Sequence, residues 1–161
     1  MSSRITAWFG LSTLVIALDQ WSKFAMRDLL AFGDVLPVTS FFDLVMVLNS
    51  GAAFSFLSSA SGWQRWFFIV LALGISVWLA VLIVRHAAER LLPLCFALVL
   101  GGAIGNVIDR FYYGAVVDFL YVHIGRYGWP AFNVADSAIS VGLVLLIWDQ
   151  LFGQRQQTAA N

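Results

Sequence analysis

Four apolar runs constrain this chain more than any other feature of its sequence. They cover about Ile5 to Phe24, Trp66 to Val84, Leu91 to Ile108 and Phe132 to Gln150, the second free of charge for 19 residues and the third for 18. A helix rises about 1.5 Å per residue and a hydrocarbon core is about 30 Å thick, so each run is near the roughly 20 residues a spanning helix needs. Composition agrees. The chain of 161 residues is 61% hydrophobic and 11% charged, whereas a soluble domain is about 45–50% apolar and about 25% charged. Four transmembrane helices are predicted in one integral-membrane domain over residues 1–161. Pro93 suits a first helical turn, and Trp8, Trp63, Trp66, Trp129 and Trp148 fall near run ends, as interfacial aromatics do. The first run passes into "DQWSK" without a small-x-small cleavage site, so it reads as an uncleaved signal anchor.

An even number of spans puts both termini on one side, with the short connection "RHAAER". The connections of about 25–65 and 109–131 then lie opposite. Arg4, Arg85, Arg90 and Arg155 fall on the termini side, against Lys23, Arg27, Arg65, Arg110 and Arg126 on the other. That balance leaves the positive-inside rule nearly silent. "FFDLVMVLNSGAAFSFL" reads as two short strands about an Asn-Ser-Gly turn, and "AVVDFLYVHI" as another strand. Alternation places Asp118 on one face with Val116, Leu120 and Val122, and Val117, Phe119, Tyr121 and His123 on the other. The expected fold is therefore all-α membrane with a small β element. Gly51, Gly62 and several serines between them mark a mobile flap.

The fourth run carries a carboxylate near its start. Ser137 to Trp148 gives only 12 uncharged residues, about 18 Å of helix, so the span must begin near Phe132 and take Asp136 into the membrane boundary. A charge there is costly and is tolerated mainly where it faces protein or water. Asp19 and Lys23 end the first run, Asn106, Asp109 and Arg110 end the third, and Asn133 and Asp136 start the fourth. All belong to one membrane face, with Asn49 and Asp118. Ionisable groups at one depth mark a site. Asp19 and Lys23, spaced i, i+4, also fit a helix-surface ion pair. Gly101-x-x-x-Gly105 reads as a close-packing pattern. Asn133 at i−3 shares a helix face with Asp136, while Ala135 and Ser137 are small enough to leave room for a substrate backbone.

Which chemistry do these residues allow? Asp109, Asp118, Asp136 and His123 are potential metal ligands. Alternation turns His123 away from Asp118, however, and there is no HExxH or Cys/His cluster, so no metal or cofactor is expected. Cys95, the single cysteine, lies in an apolar run as an inert thiol, and no GxSxG occurs. Zero net charge removes the electrostatic case for nucleic acid. Two carboxylates remain as acid–base machinery. Close together they share a proton, the ionised member activating water and the protonated one serving the oxyanion and the leaving nitrogen.

These motifs resemble lipoprotein signal peptidase (signal peptidase II), a family of bacterial integral-membrane aspartic peptidases. "DQWSK", "NSGAAFS", "GGAIGNVIDR", "VVDF" and "FNVADS" follow in the family's order over nearly the whole chain, with Ser50 where the family often has Thr. The resemblance implies a fold of four transmembrane helices plus an extracytoplasmic β-cradle, with both termini cytoplasmic and the active site near the extracytoplasmic face of the inner membrane. It implies removal of signal peptides from prolipoproteins, just before a cysteine carrying diacylglycerol. Asp118 and Asp136 match the catalytic dyad. Asn49, Gly51, Asn106, Arg110, Asn133 and Ala135 match residues that shape the site and bind substrate, with Asp19, Lys23 and Asp109 in support. Expected partners are lipid-modified prolipoproteins and membrane lipids, and the chain is expected to be a monomer.

Two other readings compete. A small transporter or proton-relay protein predicts ionisable residues at several depths. A non-catalytic assembly factor predicts that neutralising Asp136 alters binding and not turnover.

Overall fold

The computed structural model describes residues 3–51 and 62–153. Four helices carry the mass of the chain: α1 (Ser3–Leu29), α2 (Trp63–Arg85), α3 (Leu91–Tyr113) and α4 (Val134–Trp148), the last continuing into a short π-helical turn, Asp149–Gly153. Between them lie strands β1 (Val35–Pro37), β2 (Phe42–Asn49), β3 (Val116–Ile124) and β4 (Tyr127–Gly128). They form one antiparallel sheet in the order β1-β2-β3-β4.

Three helical stretches are long and apolar enough to cross a membrane: Trp63–Arg85, Leu91–Tyr113 and Val134–Phe152. Helix α1 is the longest at 27 residues, and it extends five residues beyond Phe24 through Arg27 and Asp28. Its polar last turns are tolerated because Asp19 and Lys23 are buried against protein. Helix α3 is central and touches α1, α2 and α4. Leu79 and Ile83 of α2 pack on Phe96, Ala97 and Leu100 of α3. On the α1 side, Ser12 Oγ donates to Ala97 O at 2.9 Å. A Cβ on Gly101 would lie 2.7 Å from Val15 Cβ, and one on Gly105 2.7 Å from Asp19 Oδ2. The expected close-packing role of the glycine pair is what the backbone shows.

Both ends of the bundle carry arginine, with different neighbours. At one end Arg4 Nη1 donates to Ala88 O at 2.6 Å, holding the start of α1 to the α2–α3 connection. The sheet sits at the other end. Only the first half of the Asn-Ser-Gly hairpin expectation is described, as β2, which pairs with β1 and β3. The second strand, the flap and the tail of "NSGAAFS" lie outside the described residues, as does Arg155. In β3, Val116, Val117, Asp118 and Phe119 are all buried, so both faces are covered at its start. Past Leu120 the strand opens, and Tyr121 stacks on His123 at 5.4 Å, on one face as alternation requires.

Candidate active site

Asp118 reaches the site from β3, opposite Val47 of β2. Asp136 reaches it from the first turn of α4. What brings them together is the chain just before α4. Phe132 N donates to Leu120 O at 3.0 Å, and Phe119 N and Leu120 N both donate to Phe132 O, at 3.1 and 2.9 Å. This clamp lays residue 132 on β3, so α4 begins two residues later than the span predicted from Phe132. Asn133 is consequently extended, with φ −137° and ψ −174°, and is the N-cap of α4 rather than part of its first turn.

The cap is reciprocal. Asp136 N donates to Asn133 Oδ1 at 2.9 Å, and Asn133 N donates to Asp136 Oδ2 at 3.3 Å. Such a box satisfies two otherwise orphaned donors, and an N-cap contributes about 1 kcal/mol. The Asn133 amide nitrogen faces the other carboxylate, donating to Asp118 Oδ1 at 2.7 Å, to Val117 O at 3.2 Å and to Asn106 Oδ1 at 3.3 Å. One asparagine therefore links both aspartates.

Two further amides complete the pair. Asn49 Nδ2 donates to Asp118 Oδ2 at 3.0 Å, and Asn106 Nδ2 to Asp136 Oδ1 at 2.8 Å. Asn49 Oδ1 accepts from Gly51 N at 3.0 Å, an Asx turn. Gly51 needs to be glycine twice over: its φ is 111°, and a Cβ there would strike the Phe68 ring. Asp118 is 1% exposed. Burial raises its carboxyl from 3.8 to about 7, and the neighbouring charge of Asp136 pushes the same way, against the donors from Asn49 and Asn133.

Beneath the pair lies a buried charge cluster. Lys23 Nζ is 2.7 Å from Asp19 Oδ2 and 2.8 Å from Asp109 Oδ2. Asp19 Oδ1 accepts from Ala135 N at 2.9 Å, and Asp109 Oδ2 from Val117 N at 3.0 Å. Asp19 and Lys23 are thus no helix-surface pair; they join α1 to α3 and α4, and Asp109 carries the cluster on to β3. Ala135 is fully buried, and it lies against Gly102 and Gly105 of α3. Its small size serves helix contact instead of leaving room for a substrate backbone. Ser137 Oγ is likewise engaged, donating to Asn133 O at 2.9 Å.

Arg110 stands apart from this cluster. Its guanidinium lies 5.2 Å from the Phe68 ring centroid, Nη1 donates to Asn106 O at 3.4 Å, and Nε is buried without a hydrogen-bond partner among the described residues. Arg110 and Asn106 are the polar walls of a cavity of about 380 Å³, otherwise lined by apolar side chains of α2, α3 and α4 such as Phe68, Val99 and Leu143.

The structure gathers nearly every residue singled out in the sequence. His123 is not gathered; it pairs with Asp43 at 3.1 Å, away from the aspartates. Among the described residues no group of three or more His, Cys, Asp or Glu could hold a metal ion. Two residues escape the sequence reading. Gln20 Nε2 donates to Asp109 Oδ1 at 2.9 Å and to Asp19 Oδ2 at 3.1 Å, and Phe68 packs under both Gly51 and Arg110. Gln20's place inside "DQWSK" was the available signal; Phe68 had none.

Comparison with known proteins fits this geometry. Residues 11–152 match the family described as Signal peptidase (SPase) II. A lipoprotein signal peptidase of Azoarcus sp. (strain BH72) is 60% identical over 154 residues, covering 96% of this chain and 88% of the relative. One from Burkholderia vietnamiensis is 54% identical over 150 residues, covering 93% and 90%. A solved structure described as a bacterial membrane enzyme, obtained by the in meso method at 2.3 Å resolution, superposes with a TM-score of 0.80 at 30% identity, covering 91% of this chain and 88% of that one. A site built from two carboxylates and a match over most of the length lead to one conclusion: the chain belongs to the signal peptidase II family of aspartic peptidases.

Proposed function

We propose that Asp118 and Asp136 are the catalytic pair of a membrane endopeptidase that removes the signal peptide of diacylglyceryl-modified prolipoproteins, cutting just before the lipidated cysteine. The observation that carries this reading is the single asparagine, Asn133, that holds both carboxylates, one of them raised to about 7. Asp118 holds the proton of the pair. Asp136 lies at the N-terminus of α4, where negative charge is favoured, and takes a proton from water. The water oxygen bonds to the scissile carbonyl carbon as the carbonyl oxygen gains charge beside Asp118. The C–N bond then breaks, and the leaving nitrogen is protonated from the pair.

The apolar cavity beside Asn106 and Arg110 is suited to the substrate's hydrocarbon, with Arg110 Nε, unpartnered among the described residues, as a donor for its carbonyl or head region. We place all four helices across the inner membrane, both termini cytoplasmic, with the sheet as an extracytoplasmic cradle and the chain as a monomer. Exposed Trp63, Trp66 and Trp129 support a boundary near the site. A proton relay needs ionisable groups through the bundle's depth. The buried charged residues among those described are Asp19, Lys23, Asp109 and Asp118, all at one end.

The test is cleavage of a lipidated prolipoprotein peptide, and of its unlipidated form, by the purified protein. The lipidated peptide is expected to be cut much faster, because the acyl chains hold the scissile bond at the site's depth. Asp118→Asn, Asp136→Asn and the double variant should each lose about 10²–10⁴-fold or more, and to a similar degree, since residues acting as a unit are not additive. Asp43→Asn, whose partner is His123, should retain turnover. If Asp136→Asn keeps its rate while Asp43→Asn loses it, the dyad assignment fails.

A further inference from the structure

We infer that Lys23 is a positioning residue for the reaction, acting through the amide of Asn106 to hold a hydrogen-bond donor on Asp136. Beyond its two ion pairs, Lys23 Nζ lies 3.2 Å from Asn106 Oδ1. An ammonium group has three donors and no acceptor, so it faces only the oxygen of an amide. The Asn133 amide nitrogen, 3.3 Å from the same Oδ1, imposes the same choice. The Asn106 amide is planar, so fixing Oδ1 between two donors turns Nδ2 to the other side, where it meets Asp136 Oδ1 at 2.8 Å. Rotating the amide by half a turn would set NH₂ against NH₃⁺ and NH₂, and carbonyl oxygen against carboxylate. Each of those contacts is repulsive.

The arrangement spans the molecule. Lys23 is on α1, Asn106 on α3 and Asp136 on α4. Lys23 is 3% exposed, among two buried carboxylates that fix its ammonium group. The cation therefore does more than balance Asp19 and Asp109. Together with the Asn133 amide, it selects which face Asn106 presents to the carboxylate that activates water.

The inference rests on Asp118 and Asp136 being the reacting pair. Turnover that survives Asp118→Asn and Asp136→Asn sinks that reading, whereas the experiment here fails separately. It is a double-mutant cycle between Lys23→Met and Asn106→Ala, reading kcat and KM for the lipidated peptide with a thermal-unfolding check on each variant. Lys23→Met alone should lower kcat by about 10²-fold, as a misplacement near 1 Å does, and leave KM within a few fold. In the Asn106→Ala background, where no amide remains to be oriented, Lys23→Met should change kcat by less than about 3-fold. A purely structural lysine gives the same fractional loss in both backgrounds, and that result overturns the inference. Where the lone carboxylates left by Lys23→Met prevent folding, the cycle is run on Asp109→Asn protein, which removes one buried charge together with the cation. If Lys23→Met folds in neither setting, Lys23 is a structural ion and the inference falls.

Discussion

Burial and the charge of Asp136 together keep the Asp118 carboxyl at about 7 instead of 3.8, and this has a sign that can be measured. Asp118 is protonated below that value and loses its proton above it. Turnover of the lipidated peptide should therefore fall as pH rises past about 7. Asp136→Asn removes the like charge and leaves the burial. The Asp118 midpoint, followed by its carboxyl infrared band, should move down in that variant yet stay above 3.8. An unchanged midpoint would mean that the two carboxylates do not feel each other. Stability follows the same linkage. The folded chain binds this proton more tightly than the unfolded one, so Asp118's contribution to stability is full below about 3.8 and declines as pH rises to about 7. At this scale Asp136, Asn133, Asn106 and Asp109 were legible in the sequence, because polar groups beside an apolar run demand an explanation. Gln20 was not, since an amide next to Asp19 near a helix end costs nothing remarkable in a one-dimensional reading.

Helices α1, α3 and α4 meet at a separation set by glycine. A methyl group on Gly105 would lie 2.7 Å from Asp19 Oδ2 and 3.4 Å from Ala135 Cβ. It would force α1 and α4 apart at the level of the buried cluster. Gly105→Ala is expected to cost about 1–3 kcal/mol by overpacking and to depress turnover, measured by thermal unfolding and peptide cleavage. Gly74→Ala on α2, with nothing within 4 Å of its added carbon, should unfold at or above the parent temperature; equal losses in both would remove the close-packing argument. The elements themselves were readable to different degrees. Helices α2 and α3 fell close to the charge-free runs, because lipid penalises charge at their middles. The start of α4 was misplaced by two residues, because the Phe132 clamp on β3 is a long-range contact. Strands β2 and β3 were visible as Val- and Phe-rich segments, but their pairing was not: Val47 meets Asp118 across 71 positions of sequence.

The whole chain places Arg4 and the α2–α3 connection at one end, and the sheet with its site at the other. Cysteine substitutions test the proposed orientation, since Cys95 is fully buried and free. In intact spheroplasts an impermeant thiol reagent should label Arg126→Cys, on the exposed β3–β4 turn, and spare Ala88→Cys until the membrane is opened. The reverse pattern would invert the protein. The bond between Ala135 N and Asp19 Oδ1, 116 residues apart, also sets a timetable. A ribosome adding about 5–20 residues per second needs roughly 6 to 23 s to go from one partner to the other. Until that interval ends Asp19 and Lys23, and Asp109 once it is made, lack the helix that completes their enclosure, and Asp118 lacks Asn133 and Asp136. On the proposed roles of Asp118 and Asp136, the nascent chain is a membrane protein before it is a protease, able to cut only once its last helix has been delivered.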